Sequence, residues 1–554
     1  MDRLKRLLIL VFLIAEITSA AAQQIAGETI FVHANATLLL TGETLYCKLY
    51  CLNPADKRPS QISKIAYLEL VGNDQKSVSK HKVYVENGMG EGYFFIPTTL
   101  KTGNYKLVAY TQWMLNSAPT NFFETDISIV NPFQPLEKNI LGQKTGSVSS
   151  ANNSSDLLIS TNKNSYTARE KVTLNIRNVA NADGNYSVSV RKTDGLPAKP
   201  QPTAVGFAVS NLTPLSTLNR LPEMRGELIS GHITSKTGQH LADKAVALSI
   251  PGKSFGFKLV KTDKSGKFEF MLDKNPMATS AVVQVMEDNR NDYTVVLDEP
   301  ATADLSRLQF DNTLPLSVDN KSDIEARSVA IQIENAYYDI KKDSIEKAVA
   351  SPSFFHSLQK RYVLDDYTRF QTLRETITEV VLEMYTKQSG GKSSIHLRNE
   401  TMDPEVFGQP LVLVDGLLIQ DTNELYDYNP ENIYAIDLIN LPYVYGPRTF
   451  SGVANIETKN SDFEMRPAGD FLQKVELRRP LSRKRNFSPD YATANNSRTP
   501  DYRYQLLWEP ELTLANENTL SFYTSDAAGK YEIVLQGFSK NGTPISVTSY
   551  FEVK

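Results

Sequence analysis

Leu40-Thr41-Gly42-Glu43-Thr44-Leu45 runs straight into Tyr46-Cys47-Lys48-Leu49-Tyr50-Cys51. The first string places a tight turn just before a long strand, and the second alternates as a strand does. Strand-like runs at Ile65–Val71, Lys82–Val85, Gly92–Ile96, Gly103–Thr111 and Phe122–Ile129 follow at short intervals, separated by turn residues. Together they read as one β-sandwich over residues 23–135. The opening device recurs at Ser165-Tyr166-Thr167-Ala168-Arg169-Glu170-Lys171-Val172-Thr173-Leu174-Asn175-Ile176. A second, smaller module of the same kind is therefore expected over residues 157–225.

Residues 136–156, rich in Ser, Asn and Gly, read as a linker. Five prolines between Pro197 and Pro222 mark an extended loop. From Gly226 the pattern changes to short alternating strands, Ile229–Thr234 and Ala245–Ile250, then the turn Asp263-Lys264-Ser265-Gly266 with strands on both sides. These form a small sandwich over residues 226–300, followed by a connecting segment, residues 301–350. The same turn device returns at Thr524-Ser525-Asp526-Ala527-Ala528-Gly529-Lys530-Tyr531, ahead of a last strand at Ile545–Val553. Residues 463–554 are accordingly expected as a separate C-terminal β module.

The densest signal lies at residues 351–462. Asp366-Tyr367-Thr368 supplies helix-cap residues, and Phe370, Leu373 and Ile377 recur at helical spacing. Asp365-Asp366 reads as a pair of first-turn carboxylates favoured by the helix dipole rather than as catalytic acids. Leu411-Val412-Leu413-Val414 is a buried apolar strand ending in Asp415-Gly416, a pair that suits a turn requiring positive φ. Asn429-Pro430-Glu431-Asn432 caps a short helical turn before Ile433–Leu438, and the stretch closes with Tyr443–Lys459.

Three resemblances follow. The Leu40–Leu45 turn, with Thr102-Gly103-Asn104-Tyr105-Lys106-Leu107-Val108-Ala109-Tyr110-Thr111, resembles the macroglobulin-type domains of alpha-2-macroglobulin relatives in bacterial envelopes. Residues 226–300 resemble the carboxypeptidase-regulatory or CnaB-like sandwich. Residues 351–462 are similar to the plug domain of TonB-dependent receptors, whose strand–Asp–Gly, Pro-x-x-Ile and Tyr-Gly…Gly-Val…Thr-Lys elements appear here in order. The resemblance implies structural roles for Asp415, Gly416, Tyr445, Gly446, Gly452, Thr458 and Lys459. It stops short of transport. A receptor barrel of about 22 strands needs over 200 residues, whereas 95 residues follow Lys459.

The implied fold class is mainly β: serial Ig-like or macroglobulin-like sandwiches plus one small α/β plug-like domain. Residues 1–22 read as a secretory signal, with Arg3, Lys5 and Arg6 before the apolar Leu7–Ile14 and a small-residue site at Ser19–Ala22. No later stretch is long and apolar enough to span a bilayer, so a periplasmic or outer-membrane-associated protein is expected. A net charge of −4 gives no general pull toward nucleic acid. The basic run Arg478, Arg479, Arg483, Lys484 and Arg485 reads as a solvated linker, with a contact to membrane headgroups as the sharper alternative.

Cys47 and Cys51, four residues along one strand, are expected about 13 Å apart, too far for a disulfide unless the segment is bent, and read as small hydrophobes on one face. Of the six histidines only His232 and His240 are near each other, and they read as surface residues rather than a metal pair. No catalytic, cofactor or metal residues are assigned, and the thioester of protease-trapping macroglobulins is absent. The expected function is non-enzymatic binding or scaffolding in a Bacteroidota-type Gram-negative envelope, with an outer-membrane barrel or envelope complex as partner. The alternative is an accessory factor of TonB-dependent uptake that binds glycan or peptide.

Overall fold

The computed structural model describes residues 27–117, 121–135, 141, 154, 156–179, 182–208, 220–272, 279–346, 353–355, 359–390, 392–398, 407–464, 469–492, 498–514 and 517–554. The expected signal segment, most of the expected 136–156 linker and His356 lie outside these residues. The chain is mainly β. It divides into two compact units, one of residues 1–224, 302–345 and 483–554, the other of residues 225–301 and 346–482.

In the first unit, β1 (Thr29–Ala34), β3 (Thr44–Leu52) and β6 (Met89–Phe95) make one sheet. Strands β2 (Leu38–Leu40), β8 (Phe123–Val130), β7 (Gly103–Tyr110), β4 (Ile65–Val71) and β5 (Ser77–Tyr84) make the other, in that order. β2 runs parallel to β8, and the remaining pairs are antiparallel. The quoted turn thus moves the chain between sheets, with Gly42 at φ 94°.

The second sandwich repeats this plan strand for strand. β9 (Leu157–Thr161) and β11 (Lys171–Asn178) pair with β32 (Glu517–Tyr523). The facing sheet runs β10 (Ser165–Tyr166), β34 (Pro544–Val553), β33 (Gly529–Ser539), β12 (Gly184–Lys192), β31 (Gln505–Leu514). Here too the shortest strand, β10, runs parallel to the last, β34. Residues 157–225 and 463–554 are therefore not separate modules: their strands share one core, in which Val172, Leu174 and Ile176 meet Ile533, Leu535 and Val547. Neither stretch can bury its apolar faces without the other.

Equating the two sandwiches locates the interruption. In the first, β4 and β5 are joined through residues 72–76; in the second, their counterparts β12 and β31 are separated by residues 193–504. That insertion holds the whole second unit and a strap belonging to the first. The strap, expected only as a connecting segment, carries helix α1 (Lys321–Ala336).

In the second unit a third sandwich has sheets β16 (Lys267–Leu272), β13 (Glu227–Ser235), β18 (Tyr293–Leu297) and β15 (Gly256–Lys261), β14 (Ala245–Ile250), β17 (Ser280–Val285), β29 (Leu472–Glu476). Its seventh strand, β29, comes from beyond residue 462 and pairs Ala281 with Val475. The α/β domain lies between β18 and β29 in sequence. Its sheet runs β20 (Lys360–Val363), β25 (Ile433–Ile439), β28 (Val453–Thr458), β23 (Leu411–Val414), β24 (Leu417–Leu418), beside helix α2 (Leu373–Glu379) and the hairpin β21 (Met384–Ser389), β22 (Lys392–Leu397). The helix starts later than its apolar spacing suggested. Thr372 and Glu375 form a capping box that fixes the start, while Asp365 pairs with Arg369 before it.

Glu43 holds the first unit together. Its carboxylate accepts from Arg191 at the end of β12 (2.7 Å), from Arg327 on α1 (2.7 Å) and from the Leu40 amide (2.8 Å). Arg327 also meets Asp194 (3.1 Å) and the Leu38 carbonyl (3.0 Å). The two guanidinium groups outweigh the cost of burial and bring the Glu43 carboxyl down to about 2. Because the folded-state value lies below the ordinary 4.5, the associated stability is complete above about pH 4.5 and is lost as pH falls through about 2. The resistance of wild type to urea should thus weaken as pH falls over that window, and Glu43→Gln should flatten this dependence. Arg327→Met, which leaves Glu43 with one guanidinium and takes the Arg327 partner from Asp194, is expected to cost about 3–5 kcal/mol.

Candidate functional site

The motif residues of the α/β domain converge on two places. Asp415 (φ 50°) and Gly416 (φ 83°) make the two-residue turn between β23 and β24, as their sequence foretold. The Asp415 carboxylate then crosses to the tail of the motif, accepting from the Thr458 amide (2.7 Å) and hydroxyl (2.6 Å). Burial pushes this carboxyl up, against the pull of those hydrogen bonds. Gly416 donates to Asn455 (3.2 Å) on β28. A Cβ on Gly416 would lie 2.2 Å from the Phe255 Cβ, so the backbone here approaches the β14–β15 loop more closely than any side chain permits.

The second place is the hairpin β26 (Tyr443–Tyr445), β27 (Arg448–Phe450), turned by Gly446 at φ 56°. Tyr445 packs on Phe354 (4.4 Å between centroids) and Phe257 (5.6 Å), and its hydroxyl donates to the Phe257 carbonyl. Gly452 lets β28 pass the Ile439 carbonyl. Lys459 differs: its ammonium stands 4.0 Å from Asp365, partly exposed. Around these turns Leu411, Leu413, Phe450 and Val453 share a core with Ala245, Ala247, Phe257 and Leu259 of the third sandwich. The motif surface is thereby occupied by the chain's own sheet.

Other sequence candidates fall in structural settings. Cys47 and Cys51 are free and buried. His232 lies 3.4 Å from Asp298 on the partly exposed face of β13. The basic run is largely ion-paired: Arg479 to Glu227 (3.0 Å), Arg483 to Glu86 (2.8 Å) and Glu511 (3.2 Å), Lys484 to Asp343 (2.6 Å). Such pairs fix residues in place and do not leave a free polybasic segment.

Sequence reasoning missed a concave feature of the first unit, a cleft of about 640 Å³ between its two sandwiches, α1 and the ribbon β19 (Ser344–Ile345), β30 (Lys484–Arg485). Its floor is aromatic. Tyr46 stacks on Trp508 at 6.0 Å, and Lys484 lies over Tyr93 (4.8 Å) and Tyr46 (5.6 Å). Tyr338, Phe95 and Ile345 stand half exposed at the rim. These side chains come from five separated stretches, so no local string announced them.

No protein-family model and no curated protein matches the chain. Among solved structures it is similar to Escherichia coli alpha-2-macroglobulin activated by porcine elastase, at 9% identity and a TM-score of 0.25, over 95% of this chain and 44% of that one. Salmonella alpha-2-macroglobulin reacted with methylamine gives 8% identity and a TM-score of 0.24, over 96% and 40%. Dimeric latent PorU from Porphyromonas gingivalis gives 10% and 0.15, over 50% and 33%. The chain thus spans less than half the length of each.

The Asp415–Thr458 contact should be a stability determinant. Thr458→Val is expected to destabilise the second unit by about 1–3 kcal/mol, since it leaves the buried Asp415 Oδ2 with only the longer hydrogen bond from the Phe463 amide (3.4 Å). Thr458→Ser should restore most of that loss, as read by hydrogen exchange in β23 and β28.

Proposed function

We propose that this chain is a non-enzymatic binding or scaffold protein of the Gram-negative cell envelope, exported and acting as a soluble subunit or accessory of an outer-membrane complex. The observation supporting this most is the inward commitment of the plug-like domain. Its Asp415–Gly416 turn and its Tyr443–Phe450 hairpin are seated on a sandwich of the same chain, which makes it one part of a composite arm. Fixed sandwiches with exposed strand edges suit the gripping of protein partners.

A second reading, an accessory of TonB-dependent uptake, draws on the aromatic cleft, which has the size of a small-ligand site. The two readings differ in company. Affinity purification of the full chain from solubilised membranes, with cross-linking, is expected to recover an outer-membrane barrel of an assembly or secretion machine. Recovery of a TonB-linked receptor instead would favour the second reading, and recovery with no barrel at all would sink both. Purified full chain is expected to release no product in a broad hydrolase screen; turnover there would remove the non-enzymatic reading.

A further inference from the structure

We infer that the joint between the two sandwiches of the first unit is a pH-sensitive device, seated while Glu91 on β6 carries a proton and loosened once it is ionised. Register sets the face that the first sandwich turns to the second. Glu91 lies opposite Lys48 of β3, and Lys48 opposite His33 of β1. Residues directly opposite one another in an antiparallel pair share a face. Tyr46 shares it too, opposite Tyr93, and stacks on Trp508 of β31. Glu509 and Glu511 follow Trp508 on that strand, across the joint.

Here Glu86, Glu91, Glu509 and Glu511 share the cations Lys48 and Arg483. Lys48, its side chain wholly buried, stands 3.6 Å from Glu511, and its Nζ has no hydrogen-bond partner among the described residues. Arg483 divides itself between Glu511 (3.2 Å) and Glu86 (2.8 Å). Glu91 is left with no ion pair among the described residues. The other charged groups beside β6 are engaged elsewhere. Lys484, over Tyr93, pairs with Asp343 (2.6 Å). On β5, Lys80 pairs with Glu69 (2.9 Å) and Lys82 lies opposite Tyr67, while His81 packs on Phe94 (4.8 Å) at the far face of β6.

Burial, opposed by Lys48 and Arg483 and aided by Glu511 and Glu509, brings the Glu91 carboxyl up to about 7. Because the folded-state value lies above the ordinary 4.5, the stability tied to Glu91 is complete below about pH 4.5 and is lost as pH rises through about 7. This is the reverse of Glu43. Ionisation sets a negative charge on the first sandwich against Glu509 and Glu511 on the second, so the repulsion falls across the joint itself. His33, which burial holds neutral, contributes stability that is lost as pH falls from 6.5 to about 3. The two groups therefore oppose one another below pH 6.5, and Glu91 is read cleanly above it.

Trp508 reports on the joint, since it stacks on Tyr46 and lies 5.3 Å from His33. The other indole of the chain, Trp113, is removed by Trp113→Phe, which serves as the parent. In this full-length parent, Trp508 emission is expected to change sigmoidally with a midpoint of about 7, and the urea midpoint to fall over the same range. Glu91→Gln should abolish both changes and, at about pH 8.5, raise the urea midpoint above that of the parent. Burial lowers Lys48 as well, so Lys48→Met is the second variant. It should keep the transition and move it to higher pH, because a cation that favours the ionised carboxylate is gone. Three results would overturn the inference. The first is a transition that survives Glu91→Gln, whether or not Lys48→Met removes it. The second is a Glu91→Gln chain less resistant to urea than its parent at about pH 8.5, since the ionised carboxylate would then support Lys48. The third is a parent whose emission and urea midpoint do not change across neutrality.

Discussion

The first unit depends on a carboxylate between two guanidinium groups. Glu43 sits one residue after the positive-φ turn that ends β2, and it is 9% exposed at its side chain. Arg191 comes from the last turn-ward residues of β12 and Arg327 from α1, so one side chain ties together the first sandwich, the second and the strap. Burying such ions is favourable only where each is matched, and here all three guanidinium nitrogens of Arg327 donate: to both Glu43 oxygens, to Asp194 and to the Leu38 carbonyl. The second sandwich keeps the local half of this device. Glu170 Oε2 accepts from the Thr167 amide (2.8 Å), as Glu43 does from Leu40, and Arg169 holds φ 58° where Gly42 holds 94°.

That clamp closes an interruption which the fold otherwise tolerates poorly. A hairpin joined by residues 72–76 in one sandwich is, in its twin, split by residues 193–504. Closing so long a loop costs chain entropy, though the cost rises only logarithmically with length. The strap shortens the effective gap by returning to the first unit before the chain leaves again. There α1 delivers Arg327, and β19 pairs with β30 as the chain re-enters, Ser344 opposite Arg485. The order of β12 and β31 is thus secured by contacts outside the sheet they share.

Much of the strand content was legible in the sequence, and almost none of the pairing. Period-two alternation exposes β11 and its turn directly, because Val172, Leu174 and Ile176 face a core while their neighbours face water. Asp415-Gly416 announces a positive-φ turn for the reason that most other residues are strained there. The join of β12 to β31 leaves no local trace, since pairing is decided by surfaces hundreds of residues apart. The tyrosine corners held the clue. Tyr105 donates to the Lys101 carbonyl and Tyr531 to the Ala527 carbonyl, each four residues back, so Gly529-Lys530-Tyr531 is the counterpart of Gly103-Asn104-Tyr105. The likeness of Thr524–Ile533 to the 262–270 string reflects a shared task instead, as both turns carry the chain from one sheet to the other. The motif residues were legible as turns, but not their occupation by the third sandwich. The cleft was illegible throughout, being assembled from distant stretches.

β1 departs from alternation altogether, and the departure is instructive. All six residues of Thr29–Ala34 are buried because the outer face of this sheet lies against the second sandwich. That interface is not purely apolar. Phe31 packs on Phe538 (5.7 Å), yet beside it the His33 Nδ1 meets the Ser187 hydroxyl (2.7 Å), and Tyr50 donates to the Gln536 carbonyl (2.9 Å). Burial holds His33 neutral, with its pKa down near 3. Lys48, wholly buried, reaches Glu511 on β31 at 3.6 Å. An apolar interface could slide by one strand residue and still exclude water. This one cannot, because a slip would leave His33, Tyr50 and Lys48 buried without partners at a cost of about 1–3 kcal/mol each or more. The same polar contacts that add little net stability therefore fix the alignment of the two sandwiches. With that alignment they set the spacing of Tyr46 and Tyr93 from Trp508 across the cleft.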